Sequence, residues 1–422
     1  MVRDMVEANV SSQTPPPMPK IPRQIPKWED LKPLLGFRKF QLDGTERRLS
    51  RAVSIEDLRL LARRRTPRSA FDYTDGAADH EASLRRSREL FNNVEFRANV
   101  LRDISTVDLS TTILGGPSTR PFGFAPTGFT RMMQYQGEVA VAHEANTAGI
   151  PYALSTMGTT SLEDVAKLTP DTQRWFQLYV WKERVGTKEL VERASANGYG
   201  ALLLTVDTAV AGQRQRDVRN GLTIPPQLTP KTFFDMSLHP AWWANLLTTA
   251  PLEFASLRQS GGTVAGMINR MFDPTLTFDD VEWLRGIWPG KLVVKGIQSV
   301  EDGKQAIAAG ADAVLLSNHG GRQLDRGRPP LRLLPEMREA LGPDAQIMID
   351  GGIMNGGDIV AAIALGADFA LVGRAYLYGL MAGGYRGVRR TIDILTAEVT
   401  RTMQLLGVGK VADLDPRHVV LP

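Results

Sequence analysis

The sequence has no cysteine among its 422 residues. That absence removes disulfides, thiolate zinc sites, iron–sulfur clusters, c-type haem attachment and thiol nucleophiles together. Histidine is scarce as well, with five residues in all, so a histidine base comes from a very short list. No run approaches the roughly 20 apolar residues of a spanning helix. The opening stretch MVRDMVEANVSSQTPPPMPK lacks the apolar core of a signal peptide, so the expected place is the cytoplasm, with peripheral contact at the inner face of the cell membrane left open. Neither sign of charge dominates: 50 Lys and Arg against 46 Asp and Glu leave a formal net charge of +4. Arginines cluster at Arg63, Arg64 and Arg65 and at Arg85, Arg86 and Arg88, which read as solvated helix faces rather than a nucleic-acid footprint. No nucleic-acid partner and no metal site are expected.

Residues 1–30 gather Pro15, Pro16, Pro17, Pro19, Pro22 and Pro26 among polar residues. Such a composition buries too little surface to offset the entropy of ordering, so a disordered arm is expected there. Ser54 with Asp57 three residues on resembles a capping box, and Ile55, Leu58, Leu61 and Ala62 follow at helical spacing, so a helix opens the folded region. A second helix is expected near Arg68 to Ala77. From Pro121 onward, short apolar runs alternate with segments of helical period. Eight strands are predicted, at 122–125, 152–155, 175–179, 201–205, 292–295, 313–317, 346–350 and 369–372. Helices are predicted between them, among others at 137–148, 188–197, 300–309 and 358–365.

This alternation is the pattern of an α/β fold of the (β/α)8 TIM-barrel type, here spanning residues 31–415 with an N-terminal helical segment. AAGADAVLLSN, ALGADFALVGR and ANGYGALLLTV repeat one unit, a helix end passing through Gly into an apolar strand. A doubly wound sheet would want a Gly-rich turn after its first strand, and PFGFAPTGFTRMM carries no G-x-G-x-x-G. The rhythm breaks after strand four, in a long insertion at about 222–279. It holds Trp242, Trp243, Leu246, Leu247, Leu252 and Phe254 among few charges, and reads as an interfacial anchor, a lid or a subunit contact.

Four of the histidines have structural readings: His80 and His143 in helical stretches, His239 before Pro240, His418 near the C-terminus. His319 differs. It follows the sixth strand in LLSNHGGRQLD, at the C-terminal face where barrel enzymes place their chemistry. Gln177 and Tyr179, Thr205 and Asp207, Lys295, Ser317, and Asp350 with Gly351 and Gly352 end neighbouring strands and converge on the same mouth. A desolvated Lys295 needs an electron-rich partner. The glycines after strand seven, and Gly373 with Arg374 after strand eight, match the barrel's phosphate site, where bare N–H groups approach an anion. An organic phosphate cofactor is implied, and flavin mononucleotide (FMN) fits best, because a cation beside the isoalloxazine stabilises its anionic reduced form.

SNHGGRQLD, together with FQLYVWK, TVDTAVAGQRQRDVRN, VVKGI and ALGADFALVGRAYLYGL in that order, resembles the FMN-dependent α-hydroxy acid dehydrogenases and oxidases over about residues 50–415. Within that family the chain is most similar to the L-lactate dehydrogenases that pass electrons to quinone. The resemblance implies that His319 takes a proton as substrate is oxidised and that Asp207 steadies the imidazolium. It implies a carboxylate clamp of Arg322 and Arg214 assisted by Tyr73, with Tyr179 at the substrate hydroxyl and Met157 near the substrate side chain. Lys295 would face flavin N1 and O2, with Ala125, Pro126, Thr127, Ser155, Gln177, Thr205 and Ser317 around the ring and ribityl chain. Asp350, Gly351, Gly352, Gly373 and Arg374 would hold ribityl and phosphate.

One departure is Met354 in DGGIMNGG, where many members carry an Arg that helps hold phosphate; the expected consequences are weaker FMN affinity or compensation by Arg374. Gly128 stands where several oxidases have Ala, a likeness to the dehydrogenases. The implied activity is oxidation of an L-2-hydroxy acid, L-lactate to pyruvate, with electrons delivered to quinone by a homotetramer. Two alternatives share the same residues: a soluble oxidase that makes hydrogen peroxide from oxygen, and an FMN enzyme acting on a peptide-derived cofactor precursor.

Overall fold

Successive residues of a strand point to opposite faces, and in this computed structural model that alternation sorts the strand residues into two apolar layers. The structure describes residues 18–35, 41–171, 173–221, 230–260 and 273–422. Eight parallel strands close into a barrel: β1 (Phe122–Phe124), β2 (Tyr152–Ser155), β3 (Arg174–Leu178), β4 (Ala201–Thr205), β5 (Lys291–Ile297), β6 (Ala313–Leu316), β7 (Gln346–Ile349) and β8 (Phe369–Val372). Each pairs with the next, and β8 returns to β1 through Ala370 opposite Phe122 and Val372 opposite Phe124. The expected strands and barrel are all found, with bounds that coincide for β2, β4 and β8 and shift by one or two residues for the others.

The inner layer is Trp175, Leu203, Val293, Leu315, Met348, Phe369 and Leu371 with smaller neighbours, and Trp175 meets Phe369 edge-on at 5.9 Å. Their alternates, among them Phe176, Leu204, Val294 and Ile349, pack outward against the helices. A hairpin of Thr111–Ile113 and Gly116–Ser118 adds Ile113 and Leu114 to the inner layer. The Leu114 N–H donates to Gln346 at the start of β7 (3.0 Å), so this hairpin seals the N-terminal end of the barrel and leaves the other end for chemistry.

The chain divides into a segment Met1–Asp43 and a unit Gly44–Pro422. In the first, a helical turn Trp28–Leu31 runs into a 3-10 turn Lys32–Leu34. The expected disordered arm falls largely on residues 1–17, outside the described residues, and its last residues already belong to that helical turn. In the second unit the Ser54 capping box is present: Asp57 N–H donates to Ser54 Oγ (3.2 Å) and Ser54 N–H to Asp57 (3.0 Å). It starts α1 (Ile55–Arg65), followed by α2 (Arg68–Asp75) and α3 (Ala82–Asn92). His80 is not helical as expected. It lies between Asp79 and Glu81, whose φ of 45° and 59° are left-handed and break the helix.

Of the expected insertion, 222–229 and 261–272 lie outside the described residues. The rest forms α4 (Pro230–Ser237), α5 (Pro240–Leu247) and a 3-10 segment Ala255–Ser260. The insertion ends slightly earlier than expected, because Thr277 caps a barrel helix Phe278–Ile287.

Candidate active site

Continuing the inner-layer alternation past each strand end dictates what the barrel mouth contains. Ala125, Ser155, Gln177 and Thr205 share the phase of the inner residues on β1 to β4, and Lys295, Ser317, Asp350 and Gly373 share it on β5 to β8. The polar strand ends are thus the top layer of the barrel filling. Above them is a cavity of about 850 Å3 whose wall includes Tyr73, Pro126, Thr127, Met157, Tyr179, Arg214, His319, Arg322, Gly351, Gly352 and Arg374, together with these strand ends except Ser317. Asp207 and Ser317 stand behind the wall, and each acts on a residue in it.

Asp207 Oδ1 lies 3.0 Å from His319 Nδ1. Gly296 permits this: its φ is +106°, and a Cβ there would come within 2.9 Å of the Asp207 side chain. The contact holds the neutral ring with its proton on Nδ1, which leaves Nε2 as the acceptor. Burial alone would push the Asp207 carboxyl up, but His319 and then Lys295 outweigh it, so its pKa lies below the ordinary Asp value. Ser317 Oγ accepts the His319 backbone N–H (3.0 Å) and the Lys295 ammonium (2.7 Å). Lys295 also pairs with Asp350 Oδ2 at 2.6 Å, the electron-rich partner that its burial demands.

Arg322 and Arg214 approach one Tyr73 ring, at 4.7 and 5.5 Å from its centroid. Arg214 pairs with Asp217 (2.8 Å), whereas the Arg322 guanidinium donates to the carbonyls of Tyr73 and Gly76. Burial and then the Arg214 charge push the Arg322 pKa down to about 10. A buried guanidinium beside a second one calls for an anion, and the fork geometry of both suits a carboxylate. Burial raises the Tyr179 phenol above its ordinary value, so it stays a hydrogen-bond donor.

Along the other wall the amide of Gln177 is fixed at both ends, accepting from Ser155 Oγ (2.9 Å) and donating to Thr205 Oγ1 (3.0 Å). Thr127 Oγ1 meets the Tyr376 hydroxyl.

Of the two helices near the glycines, Gly356–Ala364 has its N-terminus filled. Asp358 accepts from the N–H groups of Met354 and Asn355, and Glu398 from that of Gly356. The helix Arg374–Gly383 starts at Gly373 with no side-chain cap, so its first N–H groups are left for an anion. A Cβ on Gly373 would meet nothing closer than 3.8 Å, so bare backbone fronts open space. Arg374 spends its donors on the carbonyls of Thr74, Gly320 and Gly76 (2.8, 2.8 and 2.7 Å) and has no carboxylate partner among the described residues, leaving its charge for a phosphate. Asp350 Oδ1 is buried without a partner, an acceptor that suits a polyol hydroxyl. A cation in the wall, a bare anion site and an orphaned acceptor around one cavity fit FMN.

Two features were missed in the sequence. Arg88, taken for part of a solvated face, bonds the Gly352 carbonyl and Asp358 instead. Asp75 joins Arg59 (2.5 Å), Arg216 (2.9 Å) and the Tyr378 hydroxyl (2.8 Å) two residues from Tyr73. Their partners lie far away in sequence, so no local spacing announces them.

Fold and site together define an FMN-dependent oxidoreductase built on a (β/α)8 barrel. The model of the FMN-dependent dehydrogenase family matches residues 62–421, and the chain belongs to that family. It is 53% identical over 397 residues to a Mycobacterium tuberculosis protein named "Putative L-lactate dehydrogenase", covering 94% of this chain and 96% of that one. It is 40% identical over 371 residues to an L-lactate oxidase from Nostoc, covering 87% and 98%. Among solved structures, the monotopic membrane protein (S)-mandelate dehydrogenase superposes with a TM-score of 0.85 at 36% identity, covering 88% of this chain and 100% of that one.

Proposed function

We propose that this protein oxidises an L-2-hydroxy acid, L-lactate to pyruvate, and passes the electrons to a membrane quinone. The observation that carries the reading is the pairing, in one cavity, of a His319–Asp207 base with two guanidinium groups over Tyr73. The substrate carboxylate lies between Arg322 and Arg214, and that clamp brings the hydroxyl to Tyr179 and His319 Nε2. His319 takes a proton as the alcohol becomes a ketone, and Asp207 stabilises the resulting imidazolium. FMN, when bound, accepts the two electrons. Lys295 supplies positive charge to that wall, and Met157 closes over a small side chain.

For the acceptor, the support is the apolar insertion. Helix α5 carries no charged residue, and Phe233, Phe234, Leu238 and Leu247 are exposed around it. A face of this kind suits the bilayer surface where quinone resides. No described helix is long and apolar enough to cross a membrane, so the attachment proposed is peripheral, at the inner face. The homotetramer implied by the resemblance belongs to the same proposal and is checked by light scattering. The experiment on the chemistry is anaerobic mixing of the FMN-loaded His319→Gln variant with L-lactate. Flavin should stay bound and its reduction slow by about a thousandfold; reduction at the wild-type rate would refute the base.

A further inference from the structure

The insertion does more in this fold than present an apolar face. Phe129 follows Gly128 on the loop after β1 and has φ +56°, a left-handed conformation that a bulky L residue keeps only where its surroundings enforce it. Its N–H donates to the Met157 carbonyl (3.0 Å), and a Cβ on Gly128 would lie 2.8 Å from Met157 Cβ. Gly128 and Met157 thus form one tightly apposed wall of the cavity, on which the substrate side chain would rest.

From behind, this wall is held by the insertion. The Phe254 ring, 1% exposed, meets the Phe129 ring edge-on at 4.8 Å. Ala255 N–H donates to the Gly158 carbonyl (3.0 Å), Arg131 to the Ala250 carbonyl (2.6 Å), and Trp242 Nε1 to the Met132 carbonyl (3.1 Å). The insertion therefore stitches together the loops after β1 and β2, one carrying Gly128 and the other Met157.

We infer that Phe254 is a positioning residue for substrate selectivity: it holds Phe129 in its left-handed conformation and so fixes the spacing between Gly128 and Met157. The inference rests on the 2-hydroxy acid reading of the cavity. Substrate binding should depend on Phe254, whereas proton removal by His319, on another wall, should not. Truncating the ring should loosen the wall, weaken the hold on a small side chain and admit a larger one.

The test uses FMN-loaded holoenzyme as wild type, Phe254→Ala and Phe254→Leu, with L-lactate and (S)-mandelate as substrates. In Phe254→Ala, KM for L-lactate should rise about tenfold with kcat within about twofold, the lactate-to-mandelate ratio of kcat/KM should fall about tenfold, and Phe254→Leu should restore most of both. Unchanged KM and unchanged ratio in Phe254→Ala would overturn the inference, as would kcat loss with flavin loss that Leu does not relieve. Should Phe254→Ala fail to fold, Phe254→Val takes its place: a raised L-lactate KM with a lowered lactate-to-mandelate ratio supports the inference, and unchanged values of both overturn it. If the wild type is reduced by neither acid, the functional reading has failed and the wall is judged by acrylamide quenching of bound-flavin fluorescence. Stronger quenching in the variants supports the wall, and unchanged quenching overturns it.

Discussion

Asp207 pairs with His319, whereas Arg322 donates to backbone carbonyls at the cavity wall, so the two should fail in different ways. Asp207→Asn keeps the shape but removes the charge proposed to stabilise the imidazolium, and the rate of flavin reduction should drop by about 10²- to 10⁴-fold with FMN still bound. Arg322→Met should instead raise the L-lactate KM by about a hundredfold, and Arg322→Lys should recover little of it, because an ammonium cannot reproduce the fork. Unchanged KM in Arg322→Met would remove it from the clamp. These residues were legible in the sequence because each stands at a strand end in the phase of the barrel interior, or beside the Gly pair that follows β6. Arg88 was not legible: its partner Gly352 is 264 residues away, and nothing in RRSR distinguishes the arginine that turns inward. The same holds for Phe254, whose role lies in a contact with Phe129 made across the fold.

The elements differ in how openly their sequences declare them. Strands and capped helices carry local signals, and the Ser54 box, β2, β4 and β8 fall where periodicity places them. The 22-residue helix Tyr385–Leu406 went unremarked, although its buried Val388, Ile392, Leu395, Val399 and Met403 follow helical spacing along one face. The N-terminal helices are tied to the barrel by Asp75, whose carboxyl is opposed by burial but held at about 2 by Arg59, Tyr378 and Arg216. A depressed carboxylate contributes stability above its unfolded pKa of about 3.9 and loses it as pH falls toward the folded value. Asp75 should thus support the fold fully at neutral pH and progressively less between about pH 4 and 2. Asp75→Asn should lower unfolding free energy at pH 7 by about 2 kcal/mol, because it removes the buried carboxylate that Arg59 and Arg216 share, although these keep Glu56 and Glu81; a denaturant titration at pH 7 and pH 3 checks this, the difference shrinking at the lower pH. In the insertion, α4 and α5 carry the exposed Phe233, Phe234 and Leu247, whereas Trp242 is held by Met132. Changing those three to Ser should release the protein from anionic lipid vesicles without altering anaerobic reduction by L-lactate. Vesicle binding that persists would place the membrane contact elsewhere.

At the level of the molecule, a closed barrel gathers polar strand ends from all eight strands over an apolar filling, and the N-terminal helices bring Tyr73 over the same mouth. In the proposed reading, Arg322 and Arg214 would meet the substrate carboxylate, and Arg374 with the Gly373 helix terminus would meet the phosphate. The insertion belongs to both sides of this arrangement, supporting the cavity wall from behind and presenting an apolar surface outward. The quinone acceptor proposed above rests on that outward surface and is the least local property of all. It is tested by reducing FMN-loaded protein anaerobically with L-lactate in a stopped-flow instrument and mixing the reduced protein with aerated buffer or with a soluble quinone analogue. Fast reduction, fast reoxidation by quinone and slow reoxidation by oxygen are predicted; fast reduction followed by fast reoxidation by oxygen would contradict the dehydrogenase reading and make the protein an oxidase.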